Sequence, residues 1–403
     1  MSPSPPLRVG LLGAGFLART RARCWRHVHG VDLSLVAVAA SSEERAAAFA
    51  AEHGVDHAFG DWRAVLDRDD VDLVDVVLPN HLHRDAVVAA AAAGKAVVCT
   101  KPLAAYVGQD LPADASDEQI AGRDAATKAA VAVGDARAMT DAASAAGVPL
   151  MYGENWVYAP AIRRAAGLLA ASGGVLLEMR GEEAHSGSHA EASRRWRHAG
   201  GGALLRLGSH PVGAMLHLKR VEALWRGGQP IPVVRVSAQL ADPLGAAPPD
   251  ATALAAGARD TEVWGSVVLH FADGCVGTAF GSDLCLGGMD SRLELRASDS
   301  RHLCRLSPHD QLSSYGAADG TFGDAYLMEK RDGQAGWSTP LPDEDESSGH
   351  QGMIQAFAEA AVRGEGPVSD GTLGLAVTEV LSAAYLSAEL GRPVALDELT
   401  SAG

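Results

Sequence analysis

A short glycine loop between an apolar run and a helix-like stretch restricts this chain more than any other feature. Gly10-Leu-Leu-Gly13-Ala-Gly15-Phe-Leu-Ala18 comes after the run 7–12, which reads as a strand, and opens the stretch 16–27, which reads as a helix. In such a unit Gly13 permits the tight turn and Gly15 lets backbone amides approach a pyrophosphate. Ala18 allows close packing of helix on strand. The helix N-terminus adds a field that favours negative charge. The loop therefore predicts a dinucleotide site, with Gly13, Gly15, Phe16 and Leu17 beside the phosphates; a plain turn is the alternative for the loop taken alone.

The same alternation continues along the chain. Runs 33–39, 73–78, 96–99 and 149–152 read as strands. Stretches 43–53 (capped by Ser41 or Ser42), 61–67, 83–93 and 125–146 read as helices. A β-α-β-α order predicts a parallel, doubly wound sheet with helices on both faces. Segment 106–124 breaks the rhythm with Gly, Pro and several acids, and reads as an extended surface loop before helix 125–146, a tolerated insertion with a functional lid as the alternative. Beyond Tyr152 a helix at 160–172 precedes strand-like runs at 175–180, 233–240, 263–271, 275–280 and 292–297, with a hairpin turn at Asp273-Gly274. Helices return at 351–363 and 372–390. The predicted fold class is α/β: a dinucleotide-binding domain over 1–151, then an α+β domain over 152–403 with a large, mostly antiparallel open sheet. The C-terminal helices are free to pack back on the first domain.

Bulk properties agree with this division. A chain of 403 residues exceeds one ordinary core. A net charge of −16 argues against nucleic acid and anionic membrane surfaces as partners. No window reads as a membrane span. The five cysteines show no metal-like spacing, and Met-Ser-Pro-Ser-Pro-Pro does not resemble a signal segment, so the expected location is cytoplasmic with reduced thiols. No metal is expected.

The carboxyl edge of a parallel sheet is where ligands bind, so residues ending each strand are the site candidates. The second strand ends in Ala40-Ser41-Ser42, with no acid before Glu43 to bind a ribose 2′-hydroxyl, and Arg45 lies one turn into the helix. That leaves NAD and NADP both open, leaning towards NADP or dual use. After the fourth strand come Pro79, Asn80 and His83, read as a cofactor-contacting loop, with a helix cap as the alternative. After the fifth come Lys101 and Pro102. Lysine is scarce here beside arginine, and a partly buried lysine can carry a proton where arginine cannot.

Four stretches together resemble the glucose–fructose oxidoreductase/inositol dehydrogenase/MocA (Gfo/Idh/MocA) family: Val9–Gly15, Leu78–His83, Gly94–Pro102 and Gly200–His210. The resemblance spans nearly the whole chain. It implies a Rossmann domain followed by an α/β domain whose sheet forms a homodimer or homotetramer interface. The implied reaction is hydride transfer between a sugar or cyclitol carbon and NAD(P). The family's Glu-Lys-Pro motif falls on Thr100-Lys101-Pro102, where a cis Lys-Pro bond is implied, and its aspartate and histidine fall on Arg206 and His210. Lys101 and His210 become the expected proton-transfer residues. Arg206 is a departure: pointing inward, a fixed cation there would lower neighbouring basic pKa values and grip an anionic or polyhydroxy substrate. Pointing away, it would sit in a salt bridge.

Polar residues early in the second domain complete the candidate substrate site: Glu154, Asn155, Trp156 and Tyr158 at the junction, then Glu183 and His185 on one strand face, with Arg206 and His210. Carboxylates, imidazoles and tryptophan suit hydroxyl hydrogen bonds and stacking on sugar faces. The leading expectation is an NAD(P)-dependent oxidoreductase acting on a carbohydrate-like or cyclitol-like alcohol or ketone. The alternatives are a redox-neutral enzyme with tightly held cofactor, acting on a glycoside by transient oxidation and elimination, and a non-catalytic dinucleotide sensor.

Overall fold

The computed structural model describes residues 6–188, 191–246, 260–307, 314–321, 335–338, 343–364 and 366–399, with residues 254 and 312 besides. Six strands, β1 (Leu7–Leu12), β2 (Leu33–Ala39), β3 (His57–Phe59), β4 (Leu73–Val76), β5 (Ala96–Thr100) and β6 (Leu150–Gly153), form a parallel sheet. Their order is β3-β2-β1-β4-β5-β6. Strand β3 has no counterpart in the sequence reading because three residues are too short to show a period. The strands are apolar almost throughout because helices cover both faces: α1 (Phe16–Arg26), α2 (Glu43–His53), α3 (Arg63–Leu66), α4 (His83–Ala92) and α6 (Ala125–Ala146), with the short α5 (Asp117–Ala121) outside this cover. The strand order reverses between β1 and β4, which opens a crevice at their carboxyl ends.

The second sheet comes after α7 (Pro160–Ser172). It contains β7 (Leu176–Ala184), β8 (Val233–Ala241), β9 (Trp264–Phe271), β10 (Val276–Ser282), β11 (Asp290–Ala297) and β12 (Arg301–Arg305). A separate two-stranded ribbon, β13 (Ser314–Gly316) with β14 (Gly336–Ser338), comes next, and the short β15 (Val394–Ala395) closes one edge of the large sheet. The order is β12-β11-β7-β10-β9-β8-β15, antiparallel except for the β7–β10 pair. Asp273-Gly274 turns β9 into β10 as expected.

Between β7 and β8 lie α8 (Trp196–Ala199), α9 (Ala203–Arg206) and α10 (Ser209–Trp225). The sequence reading missed α10, and its burial explains why. Residues 209–219 are buried on every side, so no apolar face alternates with a polar one. The chain ends in α11 (Glu344–Ser347), α12 (His350–Arg363) and α13 (Gly371–Leu390). Helix α12 lies against α1 of the first sheet. Arg23 pairs with Asp345, and Gln351 and Gln355 donate to the carbonyls of His27 and His29. Helix α13 is long and apolar enough to cross a membrane, contrary to the sequence reading. More than half of it is buried here, and it packs between α6, α10 and β8.

Segment 106–124 is not an extended loop. Ser116 caps α5 with a capping box, and Tyr106, Ala115 and Ile120 form a small buried cluster with Trp196. Trp196 donates its indole N–H to the Tyr106 carbonyl at 3.0 Å, and Asp117 pairs with Arg195 and Arg197. The apolar residues are too irregularly spaced to show a period. Their cover comes from a segment 80 to 90 residues further on.

Candidate active site

The glycine loop has the form that a pyrophosphate needs. Gly13 has φ +122°, and a Cβ there would stand 2.6 Å from the Val77 carbonyl oxygen, so only glycine fits. A Cβ on Gly15 would meet nothing within 4 Å, which leaves open space over the start of α1. Gly15 is the N-cap and supplies no side-chain cap, so the first amides of α1, at Phe16 and Leu17, are left for a ligand. Phe16 itself is exposed. At the β2 end, Ser42 caps α2 and Arg45 donates from Nη1 to the Ser41 hydroxyl at 3.1 Å. A serine pair and a guanidinium therefore stand where an acid would read a ribose. These residues fit a dinucleotide.

The loop after β4 is used differently from the sequence reading. His83 has no exposed surface. Its Nδ1 lies 3.0 Å from the Pro102 carbonyl and its Nε2 2.9 Å from that of Leu78. Burial lowers its pKa. A ring enclosed by carbonyls cannot contact cofactor; His83 instead holds the segment that carries Lys101. Asn80 donates to the Ala199 carbonyl at 2.7 Å and so ties this loop to α8 of the second domain. Pro79 keeps part of its surface open at the crevice.

Lys101 comes after β5 and is joined by a cis bond to Pro102, as the family resemblance implies. Its Nζ donates to the main-chain carbonyl of Arg206, at the end of α9. The backbone there receives the lysine although the side chain is not an aspartate. The Arg206 guanidinium turns to Asp283, just past β10, in an ion pair with little exposure on either side. This corrects the expectation that Arg206 grips substrate: its charge is already matched. Helix α9 is held by Glu262, whose carboxylate accepts from the amides of Gly202 and Leu204 and from the Tyr385 hydroxyl.

His210, on the first turn of α10, is buried between two carboxylates. Nδ1 is 2.7 Å from Glu154 Oε1, and Nε2 is 3.7 Å from Glu183 Oε2. The Trp156 ring stacks on it at 5.9 Å. Glu154 has no exposed surface, and burial pushes its pKa up to about 8 against the opposing pull of Lys101. Helix α10 comes this close only because residue 213 is glycine; a Cβ there would stand 2.8 Å from Glu154 Cγ. His185 Nδ1 accepts from the Gly187 amide at 3.0 Å. Its 3.6 Å approach to Asp283 is therefore electrostatic proximity and not a hydrogen bond to that nitrogen.

Two predicted substrate residues point elsewhere. Asn155 donates to the Ser348 carbonyl at 2.8 Å, and the Tyr158 hydroxyl accepts from the Ser369 amide at 3.2 Å with its ring edge-on to Phe357. Both anchor the C-terminal helices, because the 3-10 turn Asn155–Tyr158 faces α12. Glu154, Trp156 and Glu183 do converge on His210, and His185 stands by the Asp283 that holds Arg206. The sequence reading missed Asp283, Glu262 and His350, which no local motif marks. His189, part of the polar run after β7, lies outside the described residues.

Two family models match the chain: an oxidoreductase family with an NAD-binding Rossmann fold, GFO/IDH/MocA, over residues 7–116, and the GFO/IDH/MocA C-terminal domain over 172–301. D-apiose dehydrogenase from Paraburkholderia graminis is 32% identical over 153 residues, 38% of this chain and 33% of that protein. Levoglucosan dehydrogenase from Pseudarthrobacter phenanthrenivorans is 36% identical over 104 residues, 24% of this chain and 27% of that protein. The chain thus matches about a third or less of the length of these relatives. Among solved structures, GenD2 from gentamicin A biosynthesis, in complex with NAD, superposes with a TM-score of 0.76 at 26% identity, covering 97% of each chain.

Proposed function

The chain belongs to the Gfo/Idh/MocA oxidoreductase family, and on that premise we propose that it transfers hydride between NAD(P) and a carbinol or carbonyl carbon of a sugar-like or cyclitol-like substrate. Lys101 and His210 move the accompanying proton. The observation that carries this reading is the convergence of Lys101, His210 and Glu154 at the carboxyl edge of the parallel sheet, beside a glycine loop suited to a pyrophosphate. Two dehydrogenases of sugars among the relatives support the substrate class.

The bound nicotinamide supplies or accepts the hydride. The protein's own residues handle the proton. When Glu154 is ionised it accepts the Nδ1 hydrogen of His210 and leaves the lone pair on Nε2, the nitrogen on the Glu183 side. The imidazolium formed on proton uptake then faces a carboxylate at 2.7 Å. Lys101, fixed by the Arg206 carbonyl, places its ammonium group as a donor to the substrate oxygen. Trp156 closes one side of the imidazole and keeps it from turning.

The Ser41, Ser42 and Arg45 arrangement favours acceptance of a 2′-phosphate, and the proposal includes NADP(H) use beside NAD(H). The exposed side of the second sheet carries Leu177 and Val234 with ion pairs linking Arg292 to Glu182 and Arg296 to Glu178, a surface suited to a second copy of the chain. The test is to purify the protein, establish which nicotinamide nucleotide it binds, and screen D-apiose, levoglucosan, inositols and glycosides for a change at the reduced-nicotinamide absorbance band. Failure to bind either nucleotide overturns the reading. A glycoside consumed without net reduced cofactor turns it to the redox-neutral alternative.

A further inference from the structure

We propose that His350, from the C-terminal helix α12, is a further polar residue of the active site, whose imidazole presents its Nε2–H as a hydrogen-bond donor to the substrate oxygen in the cleft of Lys101 and His210. The inference rests on the reading of that cleft as the site of hydride transfer.

The position of His350 is built, not incidental. Gly349 has φ +91°, and a Cβ there would stand 2.2 Å from the Asn155 carbonyl oxygen. The chain can pass so close to the turn beyond Glu154 only with glycine at that point. Asn155 locks the approach from the other side through the Ser348 carbonyl, and Arg23 anchors α11 through Asp345. The first residue of α12 is thereby fixed beside the turn after β6, a strand that itself ends at the site.

Its ring is asymmetric in a way that selects a tautomer. Nδ1 is shut off from solvent and has no hydrogen-bond partner, while the residue as a whole keeps part of its surface open. A buried N–H without an acceptor is the less tolerable of the two orphans, so the hydrogen belongs on Nε2 and the lone pair on Nδ1. The open edge of the ring then carries a donor.

The surrounding charges keep that donor neutral. Arg21 and Arg23 on α1, Lys101 after β5 and His210 on α10 all oppose a positive charge at His350, and burial, the largest effect, acts the same way. Three acids of α11 precede it on its own segment, Glu344, Asp345 and Glu346, and Asp345 is paired with Arg23. A neutral imidazole beside developing negative charge on oxygen polarises without titrating, so its contribution should not change with pH across the working range.

Two measurements on the full chain test this. With histidine labelled in nitrogen-15 and NADH as the ligand, His350 should show the Nε2–H form and no titration between about pH 5.5 and 8. An Nδ1–H form, or protonation in that range, overturns the proposal. In kinetics with the best alcohol substrate found, His350→Leu should lower kcat by about 10- to 100-fold. KM for the nucleotide should hold, and the pH profile should keep its shape. His350→Gln, which retains an N–H donor, should recover part of the loss. Turnover of His350→Leu within about twofold of the parent overturns the proposal. Should that variant not fold, the nitrogen-15 spectrum and His350→Gln still decide. A parent protein that binds NADH and oxidises no alcohol fails the functional reading instead, and leaves the tautomer result standing on its own.

Discussion

His210 Nδ1 stands 2.7 Å from Oε1 of Glu154, a carboxylate with no exposed surface and a second oxygen that finds no hydrogen-bond partner in the protein. An acid placed so deeply is held in its neutral form well above the ordinary range, up to about 8. The imidazole and the carboxyl act as one unit, whose proton count sets whether Nε2 can accept or donate.

This unit predicts the direction of pH dependence. Below about 8 the Glu154 proton lies against Nδ1, and Nε2 carries the other hydrogen, so alcohol oxidation is slow and carbonyl reduction is favoured. Oxidation should rise with pH through about 8 and reduction should fall. Glu154→Gln should remove that limb and lower kcat for oxidation by about 10² or more. Stability shifts in the same window. A carboxyl raised from 4.5 to about 8 contributes stability that is complete below 4.5 and lost as pH rises through 8. The Gln variant should lose less Tm than the parent between those values, as scanning calorimetry at several pH values would reveal.

Asp283 holds the guanidinium of Arg206 in a largely buried pair. Asp283→Ala leaves that cation without its partner and should cost about 3 kcal/mol of stability or more. Asp283→Asn should cost less. Denaturant unfolding with unchanged m values would measure both.

Arg45 donates to Ser41 at the end of β2, where the nucleotide's 2′ position is expected. Arg45→Ala should raise KM for NADP about tenfold and leave KM for NAD within about twofold, consistent with loss of one charged contact to phosphate. Equal effects on both nucleotides would remove Arg45 from the 2′ site.

Gly213→Ala places a Cβ 2.8 Å from Glu154 Cγ where α10 meets the turn after β6. Dense packing on both sides leaves little room to relax. The carboxylate should be pushed off Nδ1 of His210, with kcat lowered about tenfold or more and KM for the nucleotide unchanged. The limb near 8 should be displaced as well. Wild-type kinetics in this variant would show that the close approach is not needed.

The first sheet was legible because its information is local. An apolar run, a glycine loop and a helical stretch lie next to one another in the chain, and buried parallel strands advertise themselves as uninterrupted apolar runs. Lys101 and His210 were legible through their motifs. Helix α10 was not, since a helix buried all round loses its period. Segment 106–124 was misread for the opposite reason: its few apolar residues look like noise until Trp196 covers them.

By itself the sequence determined the doubly wound sheet, the phosphate loop and the strand ends at which reactive residues had to stand. Only the tertiary structure decided what those residues face. It gave Arg206 to Asp283 and put the Arg206 carbonyl under Lys101, turned His83, Asn155 and Tyr158 into anchors, joined Glu154 to His210, and set Gly349 and the start of α12 against the turn after Glu154. The physical reason is range. Secondary structure is set by neighbours along the chain, whereas a buried charge takes its partner and its pKa from whatever packing brings within a few ångströms, here across separations of 56 to 105 residues.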